Sequence, residues 1–326
     1  MAVLQGEYFS QARRGMESFT AILPVDPPPM PDGTPGYADP LWPTVYLLHG
    51  YSGGRSDWLL YSNIVQWAMK HRCAVVMPDG GNRFYLDSEE TGERYGVMVG
   101  EELVEVTRRM FALSRSREDT AIAGLSMGGF GALRNGLKYA QTFGAVMALS
   151  SALITDEVAG MTPQGGGNAI APYGYYRSTF GEPEKVLGSD RDPKWLARQC
   201  ESRPRLFLAC GTEDFLYSQN ADYHQYLQAL DALHDEDLAP LEPLGDKLHL
   251  RGDLLRRNRV LIEIGRVEKE DTRAVGIHQS DLPLLEVGIL ERIGPLATQV
   301  DLLLGHQITG SKLVECRPPT GRRGLD

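Results

Sequence analysis

Asp119-Thr120-Ala121-Ile122-Ala123-Gly124-Leu125-Ser126-Met127-Gly128-Gly129-Phe130-Gly131-Ala132 decides how this chain folds. Asp119 to Ala123 reads as a short apolar strand. Phe130 to Ala140 reads as a helix whose small residues Gly131, Ala132 and Gly136 allow close packing. Between them lies Gly124-Leu125-Ser126-Met127-Gly128, a G-x-S-x-G turn. A serine at such a strand-turn-helix junction sits on a strained backbone with its hydroxyl exposed, and the flanking glycines make room for the turn and the helix. Ser126 is therefore the candidate nucleophile.

Strand-like and helix-like runs alternate on either side of this turn. Thr44 to Leu48, Ala74 to Met77, Ala145 to Ser150 and Arg205 to Cys210 are strand-like; Trp58 to Lys70, Glu101 to Leu113 and Ala221 to Leu233 are helix-like. That order predicts an α/β fold with a mostly parallel central sheet covered by helices on both faces. Asp26 to Pro43, rich in proline and glycine, reads as a surface loop. Thr155 to Gln199 is a longer excursion between two strands, with a glycine run (Gly165 to Gly167) and the aromatics Tyr173, Tyr175, Tyr176 and Phe180. Such an insertion is expected to cap the active site.

A nucleophilic serine needs oxyanion donors, a base and an acid to orient the base. Leu47-Leu48-His49-Gly50-Tyr51-Ser52-Gly53-Gly54 leaves a strand in the form of an oxyanion loop, so the N–H groups of Tyr51 and Met127 are the candidate donors. His49 is read as a buttress of that loop. Asp214, in Cys210-Gly211-Thr212-Glu213-Asp214-Phe215-Leu216, leaves another strand where the acid is expected, with Glu213 as the lesser candidate. Asp79 precedes the serine and is read as shaping a nearby loop. His249 is the base candidate by spacing, thirty-five residues after Asp214, with His224, His234, His278 and His306 as the others. His224 reads as a surface residue of a helix.

The 326 residues carry a net charge of -10, with an isoelectric point near 5.3. This argues against nucleic acid and anionic membrane surfaces as partners and suits a small neutral substrate. No apolar run approaches a membrane span and no leader pattern opens the chain, so a cytoplasmic protein is expected. Cys73, Cys200, Cys210 and Cys316 lack paired spacing, which predicts neither a zinc site nor a disulfide framework; no cofactor and no metal are expected.

The last hundred residues differ in kind, because no Trp, Tyr or Phe follows Tyr226. At an overall aromatic content of 8%, such a run arises by chance about once in several thousand trials. Val260 to Ile264 and Leu285 to Leu290 still read as strands. The chain is thus divided into a core, 1–235, with its cap insertion at about 155–199, and an atypical segment, 236–326. That segment is either an appended module or the end of a gene read in a shifted frame.

The runs Leu47 to Gly54, Val76 to Tyr85, Gly100-Glu101-Glu102-Leu103, Gly124 to Gly129 and Gly211 to Tyr217 resemble the esterase D-like branch of the α/β hydrolases, closest to bacterial tributyrin-type esterases, over residues 1–229. The resemblance implies the α/β-hydrolase fold and cofactor-free hydrolysis of short acyl esters by an acyl-enzyme on Ser126, in a possible homo-oligomer. Feruloyl or acetyl-sugar esters are the alternative substrates. Members that hydrolyse formylglutathione carry a cysteine in the oxyanion loop, where this chain has Ser52-Gly53. The glycine-glycine-histidine stretch that follows the acid in such proteins has no counterpart here, which leaves open a silent acyl-binding protein without its base. Tyr173, Tyr175 and Tyr176 are the candidate substrate-binding residues.

Overall fold

The computed structural model describes residues 1–25, 41–211, 213–236 and 261–265, with 231–236 and 261–265 as backbone alone. Thr44–Leu48 (β3), Ala74–Pro78 (β4), Thr120–Leu125 (β5), Ala145–Leu149 (β6) and Arg205–Gly211 (β7) form the parallel centre of one sheet. The antiparallel hairpin of Ala2–Ser10 (β1) and Gly15–Leu23 (β2) joins it through β4. Leu261–Gly265 (β8) continues it in parallel beyond β7, giving the order β1-β2-β4-β3-β5-β6-β7-β8. The sheet therefore runs across the boundary expected between residues 235 and 236.

Both faces of the central strands are buried, which is why they read as continuous apolar runs rather than alternating ones. One face sends Tyr46, Leu48, Val76, Ile122, Val146 and Leu208 into a core with the helices Leu103–Met110 (α4), Met127–Lys138 (α5), Pro193–Gln199 (α8) and Tyr217–Glu236 (α9). The other sends Val45, Leu47, Val75, Met77 and Ala121 against Asp57–Tyr61 (α1) and Ile64–His71 (α2). α5 lies so close to the sheet that a Cβ on Gly136 would overlap the Val146 side chain and stand 3.1 Å from Ile122 Cγ2.

Two expected helices differ in detail. The helix expected from Trp58 to Lys70 is two helices, broken where Ser62 turns extended before Asn63. The one expected from Glu101 begins earlier, with Tyr95–Val97 (α3) and a π-helical turn, Met98–Glu102; it ends at Met110, because Phe111 is extended. The cap excursion holds the helices Thr155–Ala159 (α6), Tyr173–Phe180 (α7) and α8. Residues 26–40 of the expected loop and the expected strand Leu285 to Leu290 lie outside the described residues. Among the described residues no helix is long and apolar enough to cross a membrane.

Candidate active site

β5, β6 and β7 are neighbours and parallel, so the loops leaving their C-terminal ends share one rim. Ser126 leaves β5 with φ 58° and ψ -117°, a conformation open mainly to glycine and worth about 1–3 kcal/mol of strain in any other residue. Its neighbours impose this shape. The Ser126 N–H donates to Leu149 O at 2.9 Å, and its carbonyl accepts from the N–H groups of Phe130 and Ala152, both at 3.0 Å. The glycines on either side are required by contact. A Cβ on Gly124 would strike the Gly128 carbonyl, and one on Gly128 would stand 2.5 Å from Leu48 O and 2.7 Å from His49 O.

Met127 is the first residue of α5, so its N–H faces the rim at the positive end of the helix. The oxyanion loop approaches from β3, and a Cβ on Gly50 would lie 3.7 Å from Ser126 Cβ. Gly53 N–H closes a turn onto Gly50 O at 3.1 Å, with Ser52 at φ 63°. Among the described residues, the N–H groups of Tyr51 and Met127 have no protein acceptor. Two unpartnered donors beside a serine hydroxyl are what a tetrahedral oxyanion needs.

His49 is buried at 1% exposure with both ring nitrogens engaged. Nε2 accepts the Gly80 N–H at 2.9 Å, so the proton sits on Nδ1 and donates to Gly50 O at 2.8 Å. That tautomer leaves no nitrogen for Ser126. Asp79 Oδ1, 3.8 Å from Nε2, is beyond hydrogen-bond reach of it and accepts from Gly81 N–H instead. Tyr85, also buried, donates its hydroxyl to His49 O at 3.0 Å.

Asp214 follows β7 in a turn closed by its N–H on Gly211 O at 3.1 Å. Its Oδ1 accepts the Leu216 N–H at 2.9 Å, the bond of an Asx turn that leads into α9. Strand spacing puts the ends of β5 and β7 about 10 Å apart, so side chains leaning inward from the two ends can bracket an imidazole, whose two hydrogen bonds span at most about 8 Å. Of the histidines, His71 stacks on Trp67. His224, expected at the surface, is half-buried on α9, where burial lowers its pKa. The side chain of His234, and His249, His278 and His306 altogether, lie outside the described residues. Because β8 is parallel to β7, with Gly265 level with Gly211, β8 ends at the serine rim. His249 precedes β8 in sequence, and His278 follows it.

The cap touches the oxyanion loop through Tyr175, whose ring meets that of Tyr51 edge to face at 5.8 Å and whose hydroxyl donates to Asn82 O at 2.7 Å. Tyr176 is buried at 1%, bonded to Asn168 and packed toward Phe180, which makes it part of the cap's core. Tyr173 is half-buried at the start of α7. Sequence reading did not single out three residues that hold the site together. Asn82 accepts the Ser52 N–H at 2.7 Å. Asn220 of α9 clamps both backbone groups of Ser151, next to the Ala152 that holds Ser126. Buried Arg134 of α5 ties down Asp190 of the cap and Asp87 of the preceding loop. Only Asn82 lay within a stretch that the motifs marked. Among the described residues no cluster of side chains could hold a metal ion.

Comparison with known proteins agrees with this geometry. The family model "Esterase" (Putative esterase) matches residues 31–229. An acetyl esterase of Caldicellulosiruptor saccharolyticus is 43% identical over 243 residues, 73% of this chain and 91% of that one. The fold resembles the substrate-bound fluorophosphonate-binding serine hydrolase FphF of Staphylococcus aureus, at 26% identity and a TM-score of 0.59 over 71% of this chain and 87% of that chain. It also resembles the S-formylglutathione hydrolase FrmB of the same organism, with the same identity and coverage and a TM-score of 0.58.

Proposed function

The chain belongs to the Esterase family of α/β hydrolases and is a serine esterase, and on that premise we propose that it removes short acyl groups, acetyl first, through an acyl-enzyme on Ser126. The observation that carries this is the elbow: a non-glycine residue held at φ 58° with two free N–H donors beside it. Ser126 Oγ attacks the acyl carbon while a histidine takes its proton. The N–H groups of Tyr51 and Met127 stabilise the oxyanion, the alcohol leaves with the proton, and water then resolves the ester on Ser126. Asp214 orients the histidine through its second carboxylate oxygen. His249 is the base by spacing; the parallel pairing of β8 makes His278 the second candidate.

Two lines support a small acyl group, and a third argues against a glutathione thioester. The 43%-identical relative is an acetyl esterase. Tyr175, packed on Tyr51, walls the oxyanion loop on the cap side, with Tyr173 further along the same helix. Ser52-Gly53 replaces the cysteine expected of a formylglutathione hydrolase. Association into a homo-oligomer is part of the proposal and is checked by sedimentation.

The test is hydrolysis of p-nitrophenyl acetate, butyrate and octanoate by the full chain beside Ser126→Ala, His249→Ala and His278→Ala. Turnover that falls with acyl length, vanishes in Ser126→Ala and drops in one histidine variant fits the proposal. Turnover equal to that of Ser126→Ala overturns it. Loss of one triad member typically removes several orders of magnitude in rate.

A further inference from the structure

Asn82 stands between the two halves of the site and is hydrogen-bonded to both. Its side-chain carbonyl accepts the Ser52 N–H at 2.7 Å, and its backbone carbonyl accepts the Tyr175 hydroxyl at 2.7 Å. Tyr175 in turn packs edge to face on Tyr51. The four residues close a ring: oxyanion loop, Asn82, cap helix, and back to the oxyanion loop.

The bond to Ser52 has a specific job. The turn Gly50-Tyr51-Ser52-Gly53 is closed by Gly53 N–H on Gly50 O, and its third residue has φ 63°. That position of a turn calls for glycine or asparagine, and serine is disfavoured there. Ser52 is held left-handed by a partner from outside the turn, the Asn82 amide. If the turn relaxes, the peptide next to Tyr51 rotates, and the N–H assigned to the oxyanion moves with it. A misplacement of about 1 Å can reduce turnover roughly a hundredfold.

We propose that Asn82 is a positioning residue for the oxyanion loop, fixing the Ser52 turn and coupling it to the cap through Tyr175. This rests on the oxyanion role of Tyr51 given above. Asn82 touches no reacting atom, so its removal acts on kcat through the loop and leaves the acyl pocket in place. Tyr175→Phe breaks the cap side of the ring alone. Its effect falls on acyl-length preference, with butyrate gaining relative to acetate as the wall loosens.

The experiment compares p-nitrophenyl acetate and butyrate kinetics for the wild type, Ser126→Ala, Asn82→Ala, Asn82→Ala/Ser52→Gly and Tyr175→Phe, with a thermal melt of each. Asn82→Ala is expected to lower kcat about 30-fold, with KM for acetate within about threefold of wild type. Adding Ser52→Gly should restore at least about tenfold of that loss, because glycine takes a left-handed φ without help. A kcat for Asn82→Ala within threefold of wild type, a loss confined to KM, or no rescue by Ser52→Gly overturns the inference, even if Ser126-dependent turnover stands. A wild type no faster than Ser126→Ala overturns the underlying assignment and this inference with it. A melt depressed equally in the single and double Asn82 variants, with kcat depressed equally too, assigns Asn82 to general stability and also overturns it.

Discussion

Replacing Gly128 with alanine tests whether the elbow and the oxyanion loop are one mechanical unit. The added methyl would stand 2.5 Å from Leu48 O, 2.7 Å from His49 O and 2.8 Å from Leu48 C. Ordinary contact begins near 3.4 Å, so α5 and the end of β3 must separate by about 0.9 Å. The obstacles are backbone atoms with no rotamer to escape into. They belong to the two residues before Gly50, so the displacement passes directly to Tyr51. Overpacking of this kind costs about 1–3 kcal/mol, and a domain of this size loses about 2–4 °C in melting temperature per kcal/mol. A drop of roughly 2–12 °C is expected. Turnover of p-nitrophenyl acetate should fall further than stability suggests, by about 30- to 100-fold, with the protein still folded at the assay temperature. Gly174→Ala on α7 is the control, since nothing lies within 4 Å of the new methyl. Gly128→Ala with kcat within threefold of wild type would refute the claim that β3 transmits the displacement.

Gly136→Val, about 15 Å along α5 from the serine, should lower the melting temperature by roughly 4–12 °C and leave KM unchanged, because the new branches meet Val146 and Ile122 in the core. Arg134→Met removes a buried guanidinium from Asp190 and Asp87, both of which keep Lys138 as a partner, and should cost about 2 kcal/mol; a calorimetric shift under 2 °C would contradict that. His71 provides a test by pH. Burial, and then Lys70, lower its pKa from 6.5 to about 4, so the unfolded chain binds a proton that the folded one does not. Stability on this account rises from pH 4 to 6.5 and is lost as pH falls back through that window. His71→Gln should flatten this slope in denaturant melts, and an unchanged slope would count against it.

What the sequence made legible follows from how local each signal is. The elbow was readable because its strand, turn and helix are contiguous, and because a Cβ on Gly124 would meet Gly128 within the same turn. The central strands were readable because burial on both faces leaves them almost wholly apolar, with Thr44 at the start of β3 the polar exception among β3, β4 and β6. At the break, the Ser62 hydroxyl donates to Trp58 O and accepts the Ile64 N–H, bonds that periodicity does not show; at the early start, Asp87 accepts the Val97 N–H from outside the helix. Asn82 meets Ser52 across thirty residues and Tyr175 across ninety-three. Asn220 meets Ser151 across sixty-nine, and an asparagine that braces a distant backbone looks in sequence like any loop or helix asparagine. His249, chosen by spacing alone, lies outside the described residues, and spacing does not measure distance in space.

The backbone at Ser126 also sets how this protein would respond to laboratory evolution. Glycine is at ease where φ is 58° and ψ is -117°, so Ser126→Gly relieves the elbow while deleting the proposed nucleophile. On that proposal, a library screened for heat resistance alone would enrich an inactive variant. Any campaign to harden this scaffold therefore has to select for turnover in the same round.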